Sequence, residues 1–273
     1  MRALQDKVAL VTGSARGIGR AVAEKLAAAG AKLVINDLDE NALAEAAEAI
    51  RVAGGSAVAV PGDVTENDFG SNFVQAAVDA FGGVDIIVNN AGYAWDAILQ
   101  RTTDEQWNAM LEIHLTAPFR ILRAAQPVIA AAAKKEAADA KPPARRSVIN
   151  ITSIAGLGGN VGQSGYASGK AGIVGLTKTL AKEWGRLGVT VNAVSFGIMD
   201  TRMTGIGQDR TTVDIGGREI RVGMGAELQA ALASSIPLGR PGTTAEAAGA
   251  VYLLCLDEAS YITGEVLSVS GGV

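Results

Sequence analysis

The sequence predicts an α/β protein: a doubly wound, mostly parallel sheet of seven strands with helices on both faces. Three observations carry that expectation. Apolar strand-like runs near residues 8–12, 32–36, 57–60, 84–88, 147–151, 189–194 and 265–269 alternate with helix-like stretches. Such alternation implies right-handed crossover units, which lay the strands parallel and cover the sheet on both sides. The composition, 48% hydrophobic and 19% charged with 34 glycines, is that of a compact globular enzyme. A length of 273 residues is enough for one undivided domain over 1–273 with a sizeable core, and no fixed-period repeat interrupts it.

The first element is the apolar strand Lys7–Val11, followed at once by Thr12-Gly13-Ser14-Ala15-Arg16-Gly17-Ile18-Gly19. Arg20–Ala29 is a strong helix former closed by Gly30. Strand, glycine turn and helix in this order are the context a dinucleotide site requires, here spaced Gly-x-x-x-Gly-x-Gly. The glycines let the backbone approach the pyrophosphate, and the helix N-terminus offers free N–H groups and partial positive charge. Gly13, Ser14, Arg16, Gly17, Ile18 and Gly19 are therefore candidate cofactor residues. The next strand, Lys32–Asn36, ends at Asp37, 18 residues beyond Gly19 (37 − 19), followed by Leu38. A carboxylate at that offset suits the adenosine ribose hydroxyls and repels a 2′-phosphate, favouring NAD over NADP. Arg16 argues the other way, because a guanidinium could pair with that phosphate. Asp37 weighs more, since an exposed arginine can swing into solvent. NAD is the expected cofactor and NADP the alternative.

Further along, Asp63-Val64 and Asn89-Asn90-Ala91-Gly92 each follow a strand-like run. The strand at 147–151 leads to Ser153, and Tyr166 follows thirteen residues later (166 − 153), with Lys170 four positions on. At that spacing a phenol and an ammonium share one helix face. A tyrosine has an ordinary pKa of about 10, and a fixed cation beside it is expected to pull that value down toward the working range. Ser153 would hold a substrate oxygen while the proton moves.

Together these residues resemble the short-chain dehydrogenase/reductase family over nearly the whole chain, and Rossmann-type architecture is what the resemblance implies. Thr12-Gly13-x-x-x-Gly17-x-Gly19 resembles its cofactor loop, Asp63-Val64 its adenine contact, and Asn90-Ala91-Gly92 the segment that braces the sheet and touches the cofactor. Ser153, Tyr166 and Lys170 fall on its catalytic serine, tyrosine and lysine. Lys170 would also hold the nicotinamide ribose, and Gly197, Ile198 and Thr201 fit the segment that binds the carboxamide. The family's usual assembly is a dimer or tetramer, and the alanine-rich faces of 104–133 and 164–184 are compatible with either. Two positions depart from the pattern. His114, in His114-Leu-Thr-Ala-Pro-Phe119, stands where the family carries a fourth catalytic residue, an asparagine; Phe196 replaces a proline before Gly197. The only histidine in the chain, His114 could either pack or hold a relay water, because neutral imidazole both accepts and donates. Phe196 is expected to alter only a turn.

Two stretches look like additions. Residues 134–146 extend a helix, break at Pro142-Pro143 and have no core pattern, which predicts a solvated loop. The other is 211–222, within the substrate flap at 201–240. Val213 and Ile215, then Ile220 and Val222, alternate with polar residues around Gly216-Gly217, a hairpin signal. Met203, Ile206, Val213, Ile215 and Met224 make an apolar flap.

A net charge of −4 without a basic stripe argues against nucleic acid or an anionic membrane as partner. The single cysteine, Cys255, excludes an internal disulfide and sits in an apolar run, which predicts a buried, inert thiol. No residue pattern suggests a metal site. With no signal-peptide layout and no apolar run near ~20 residues, a soluble, cytoplasmic protein is expected. The function these features imply is hydride transfer interconverting a secondary alcohol and a ketone, with an apolar ketone or 3-oxoacyl thioester as substrate. The competing expectation is a dinucleotide-binding regulator or scaffold with little turnover, to which His114 lends the only support.

Overall fold

A computed structural model describes residues 2–201, 211–215, 217–222 and 235–273. Seven parallel strands form the central sheet: β1 (Val8–Val11), β2 (Lys32–Ile35), β3 (Ser56–Ala59), β4 (Ile86–Asn89), β5 (Arg146–Ser153), β6 (Val189–Phe196) and, last in the chain, β9 (Val266–Val269). Their order is β3-β2-β1-β4-β5-β6-β9, so the chain reverses direction across the sheet between β1 and β4. β7 (Thr211–Ile215) and β8 (Arg218–Val222) form a separate antiparallel pair.

Strand periodicity distributes the core. Ala9, Val11, Leu33, Ile35, Ile86 and Val88 point to one face, where α1 (Gly17–Ala28), α2 (Glu40–Val52) and α8 (Thr244–Cys255) cover them. Val8, Leu10, Val34 and Ile87 point to the other, under α3 (Phe69–Phe81), α4 (Asp104–Leu111), α5 (Ala117–Ala138) and α7 (Ser164–Trp184). Both faces are thus apolar, which is why these strands read as continuous hydrophobic runs. A short α6 (Ile154–Gly158) follows β5. No described helix is long and apolar enough to cross a membrane.

Several local expectations change. β4 begins at Ile86 rather than Val84, because the Asp85 carboxylate accepts the Val8 N–H at 2.9 Å and the ladder starts beyond it. The stretch at 134–146 is not simply solvated: Arg145 donates to the carbonyls of Cys255 and Leu254 at 2.7 and 2.9 Å, closing the C-terminus of α8. Arg146 is buried and bonds Glu136 at 2.7 Å. Charge without an apolar pattern reads as solvent-facing, but a guanidinium can be buried when carbonyls and a carboxylate satisfy it. Phe196 does more than alter a turn. With an N–H that proline lacks, it lets β6 continue, pairing with Ser153 and Val269. The thiol of Cys255 is buried and pushed up to about 12, as an inert thiol should be.

The hairpin at 211–222 forms with Ile215 opposite Arg218, and Gly217 adopts φ +80° in the turn. Ile220 is buried in the cluster that also holds Tyr93, Met110 and Ile113. Met203, Ile206 and Met224 lie outside the described residues, and Gly216 does too.

Candidate active site

A cleft of about 1060 Å³ opens beyond the carboxyl ends of the strands, where the connections that leave the paired strands β1 and β4 run to opposite faces of the sheet. One end is built mainly from backbone. Thr12 Oγ1 accepts the N–H groups of Asn90 and Ala91 at 3.0 Å each, and Asn90 Nδ2 donates to the carbonyls of Thr12 and Gly13. This clasp ties the glycine-rich loop to the exit of β4. A Cβ on Gly19 would stand 2.1 Å from the Gly13 carbonyl oxygen, so only glycine allows the turn. α1 has no side-chain cap and no acid in its first turn. Its leading residues Gly17, Ile18 and Gly19 line the cleft beside Gly13. A helix start left for an anion, with backbone that can close on it, fits a pyrophosphate.

At the end of β2, Asp37 accepts the Ala15 N–H at 3.0 Å and the Asp39 N–H at 3.2 Å. Arg16 lines the cleft there but is ion-paired with Asp39. Leu38 and Val64 give this end apolar walls, and Asp63 is held by the N–H and hydroxyl of Thr65 at 2.8 and 2.7 Å. Ala91, Gly92, Gly197 and Thr201 also line the cleft. Two candidates do not. Ser14 turns inward, fully buried, its hydroxyl donating toward the carbonyls of Val11 and Asn36 at 3.1 Å; the tight turn needs that brace. Ile198 instead accepts the Gly242 N–H at 3.0 Å through its carbonyl.

The other end is built from side chains. Ser153, the last residue of β5, caps α6 by accepting the Ala155 N–H at 3.2 Å and also hydrogen-bonds Tyr166. Tyr166 and Lys170 share the first turns of α7, with Lys170 Nζ 5.7 Å from the Tyr166 ring centre. Lys170 is buried and donates to the Ile151 carbonyl at 2.8 Å; desolvation brings its pKa down to about 7. The expected lowering of the Tyr166 pKa is corrected by the structure. Burial raises it, the Ser153 hydrogen bond opposes that, and the charge of Asp96 raises it further. A lysine that is itself losing its proton near neutrality cannot supply the full cation the sequence suggested.

His114 sits on a π-helical turn, Glu112–Thr116, between α4 and α5. It is buried, its ring meets Tyr166 edge-on at 4.9 Å, and Nε2 lies 2.7 Å from the Tyr93 carbonyl. A carbonyl only accepts, so Nε2 carries the proton. Burial first, then Lys170, pushes the imidazole well below its ordinary range, so the ring is neutral. A Cβ on Gly92 would lie 2.4 Å from the ring, which is why that position must be glycine.

Sequence reasoning quoted Thr12 in the loop motif but missed the clasp it makes with Asn90, and it missed Asp39, which caps α2 and holds Arg16. Asp39 carried a legible signal, an acidic residue just before a helical run; the π-helical turn carried none. Among the described residues no group of three or more potential ligands could hold a metal.

Residues 13–273 match a family model described as Enoyl-(Acyl carrier protein) reductase. The chain is 38% identical over 275 residues to the 3-oxoacyl-(acyl-carrier-protein) reductase of Synechocystis sp., covering 100% of this chain and 99% of the relative. It is 39% identical to the 3-oxoacyl-(acyl-carrier-protein) reductase FabG of Vibrio cholerae, covering 99% and 98%. The FabG of Escherichia coli K12 is also 39% identical, over 98% of both chains.

Proposed function

The chain belongs to the short-chain dehydrogenase/reductase family, and on that premise we propose that it reduces the ketone of a 3-oxoacyl thioester, with Tyr166 as proton donor. It is an enzyme, an oxidoreductase working with a nicotinamide dinucleotide, rather than a regulator that merely binds one. The bound dinucleotide supplies the hydride. The observation that carries the reading is the meeting of Ser153, Tyr166 and Lys170 at one end of a cleft whose other end is the glycine-rich loop.

Ser153 donates its hydroxyl to the substrate carbonyl oxygen and fixes it beside the phenol. Tyr166, kept protonated near neutral pH by its raised pKa, delivers the proton to that oxygen. Lys170, half-charged near pH 7, tempers the phenolate left behind and holds the ribose hydroxyls. The neutral imidazole of His114 fixes the Tyr166 ring and the Tyr93 carbonyl rather than passing protons. The thioester is supported by the names of the relatives, and the apolar residues that the sequence carries in 201–240 are compatible with an acyl chain. The preference for NAD over NADP is supported by Asp37 and by the engagement of Arg16 with Asp39. A homodimer or homotetramer is supported by the exposed aromatics Trp107 and Phe119 on the α4–α5 face.

A spectrophotometric panel tests this: 3-oxoacyl thioesters of increasing length and simple ketones, each with NADH and NADPH. Turnover should be greatest on the thioesters. Rapid reduction of simple ketones with none on thioesters would move the substrate class elsewhere.

A further inference from the structure

Two buried polar residues of β5, Asn150 and Thr152, are two positions apart and so point to the same face of the sheet, toward α7. Each reaches that helix at a different turn. Asn150 Nδ2 donates to the Thr177 hydroxyl at 2.9 Å, and the Thr152 hydroxyl donates to the Lys170 carbonyl at 2.6 Å. Thr177 and Lys170 are seven residues apart, two helical turns, and share a face of α7. From the helix side, Lys170 Nζ returns to the strand and donates to the Ile151 carbonyl at 2.8 Å. Lys170 is thus tied to β5 twice, by its main chain and by its side chain. α6 closes on the same turn: a Cβ on Gly156 would stand 2.7 Å from the Cβ of Lys170.

We propose that Thr152 is a positioning residue: its hydroxyl fixes the Tyr166–Lys170 turns of α7 against β5, and so sets the phenol against Ser153, the next residue of the strand. The inference rests on the reading of Ser153, Tyr166 and Lys170 as the reducing site. Ser153 cannot follow a displaced helix, because the ladder pairs it with Phe196 on β6. The tie at Asn150 and Thr177 holds α7 two turns further on, so near Lys170 the strand's side-chain hold on the helix is Thr152. Nor does α7 need the bond for its own stability. The Lys170 carbonyl lies inside the helix, where the N–H four residues on already donates to it. Thr152→Val keeps the branched shape and leaves no buried acceptor bare, so the fold should hold. Thr177→Val differs: it strands the buried Asn150 amide and should cost stability.

The test compares the wild type, Thr152→Val, Thr152→Ser and Thr177→Val in the full chain. Amide hydrogen exchange, read without cofactor, should quicken several-fold across 164–174 in Thr152→Val and return toward the wild type in Thr152→Ser. In reduction of a 3-oxoacyl thioester, with NADH and with NADPH, Thr152→Val should lose about tenfold in kcat while both KM values stay within about twofold. Thr152→Ser restores the hydroxyl and should recover most of the rate. Thr177→Val should lower the Tm more than Thr152→Val does, yet keep more of kcat. Thr152→Ala repeats the comparison should the valine variant fold poorly. Wild-type kcat or wild-type exchange in Thr152→Val overturns this inference alone. So does a serine variant no better than valine, or kcat losses that simply follow the Tm through the series. A wild type that reduces neither thioesters nor ketones with either dinucleotide overturns the reading of the site and this inference with it.

Discussion

The adenosine end and the carbonyl end of one cleft handle charge in opposite ways. At the adenosine end, Arg16 and Asp39 are 48% and 40% exposed and keep their charges in water. At the carbonyl end, Lys170 and His114 are 5% and 3% exposed, and burial lowers the pKa of both. Exposed charges compete for one another and for ligand, so pairing decides what they do. Buried groups are governed by desolvation, so their protonation state is set before any ligand arrives. Pairing sets the charges at the first end, and burial sets the protonation states at the second.

The sharpest way to separate the two ends is Tyr166→Phe. The ring still packs against His114, but the acid is gone, so turnover should fall by about 10²–10⁴ or more. NADH affinity should stay within a few-fold, measured by direct titration. A variant that keeps most of its activity would remove Tyr166 from the chemistry.

His114 is the next test. His114→Leu removes the hydrogen bond to the Tyr93 carbonyl and the ring that meets Tyr166 edge-on, which should loosen the Tyr166 ring and cut kcat roughly tenfold or more. His114→Asn can still donate and should retain much of the rate. Because the imidazole is already driven well below its ordinary range, the wild-type pH–rate profile should show no limb belonging to it. An imidazole limb that vanishes in His114→Asn would restore the proton-relay role. Equal rates in all three forms would leave His114 as packing only.

A smaller effect is expected at the exposed end. Asp37→Ser should raise the NADPH-to-NADH ratio of kcat/KM by a few-fold only, because Asp39 still holds Arg16. If the wild type already prefers NADPH, both carboxylates are misread.

The least conspicuous signal is thermodynamic. The folded Lys170 pKa of about 7 lies below its ordinary 10.5, so between those values the unfolded chain binds more protons and stability rises with pH. Cys255 has the opposite sign: its thiol rises from 9.0 to about 12, so above pH 9 the unfolded chain gives up a proton that the folded one keeps. From pH 7 to 9 the lysine acts without that opposition, and the Tm should climb by a few degrees, about the scale expected for a domain of this size. Lys170→Met should flatten the climb; an unchanged slope would mean that the buried amine is not desolvated.

Much of this molecule was legible in its residues. Strand positions followed from apolar runs, because strands buried on both faces leave little room for polar residues. Of the positions that line the cleft, Gly13, Gly17, Gly19, Asp37, Ser153, Tyr166 and Lys170 followed from glycines and spacings and Asp63, Asn90 and Gly92 from the family resemblance, whereas Asn36, Asp39 and Tyr93 carried no such signal. Even the hairpin at 211–222 was marked, since alternation around Gly216-Gly217 is a local signal.

What only the tertiary structure decided is nearly all electrostatic and long-range. The sequence alone determined which ionisable groups exist and which share a helix face. It could not tell that Tyr166 moves up rather than down, since that depends on how much water the fold removes from around the phenol and from Lys170. Nor could it tell that Ser14 turns inward, that Arg146 is buried, or that Arg16 is already paired. Each of these turns on a partner that the local pattern does not reveal: Asn36 for Ser14, Glu136 with Asp85 for Arg146, Asp39 for Arg16. Local pattern specifies backbone because backbone preferences are local. Charge and proton position depend on distance and dielectric in three dimensions, and those exist only once the chain has folded.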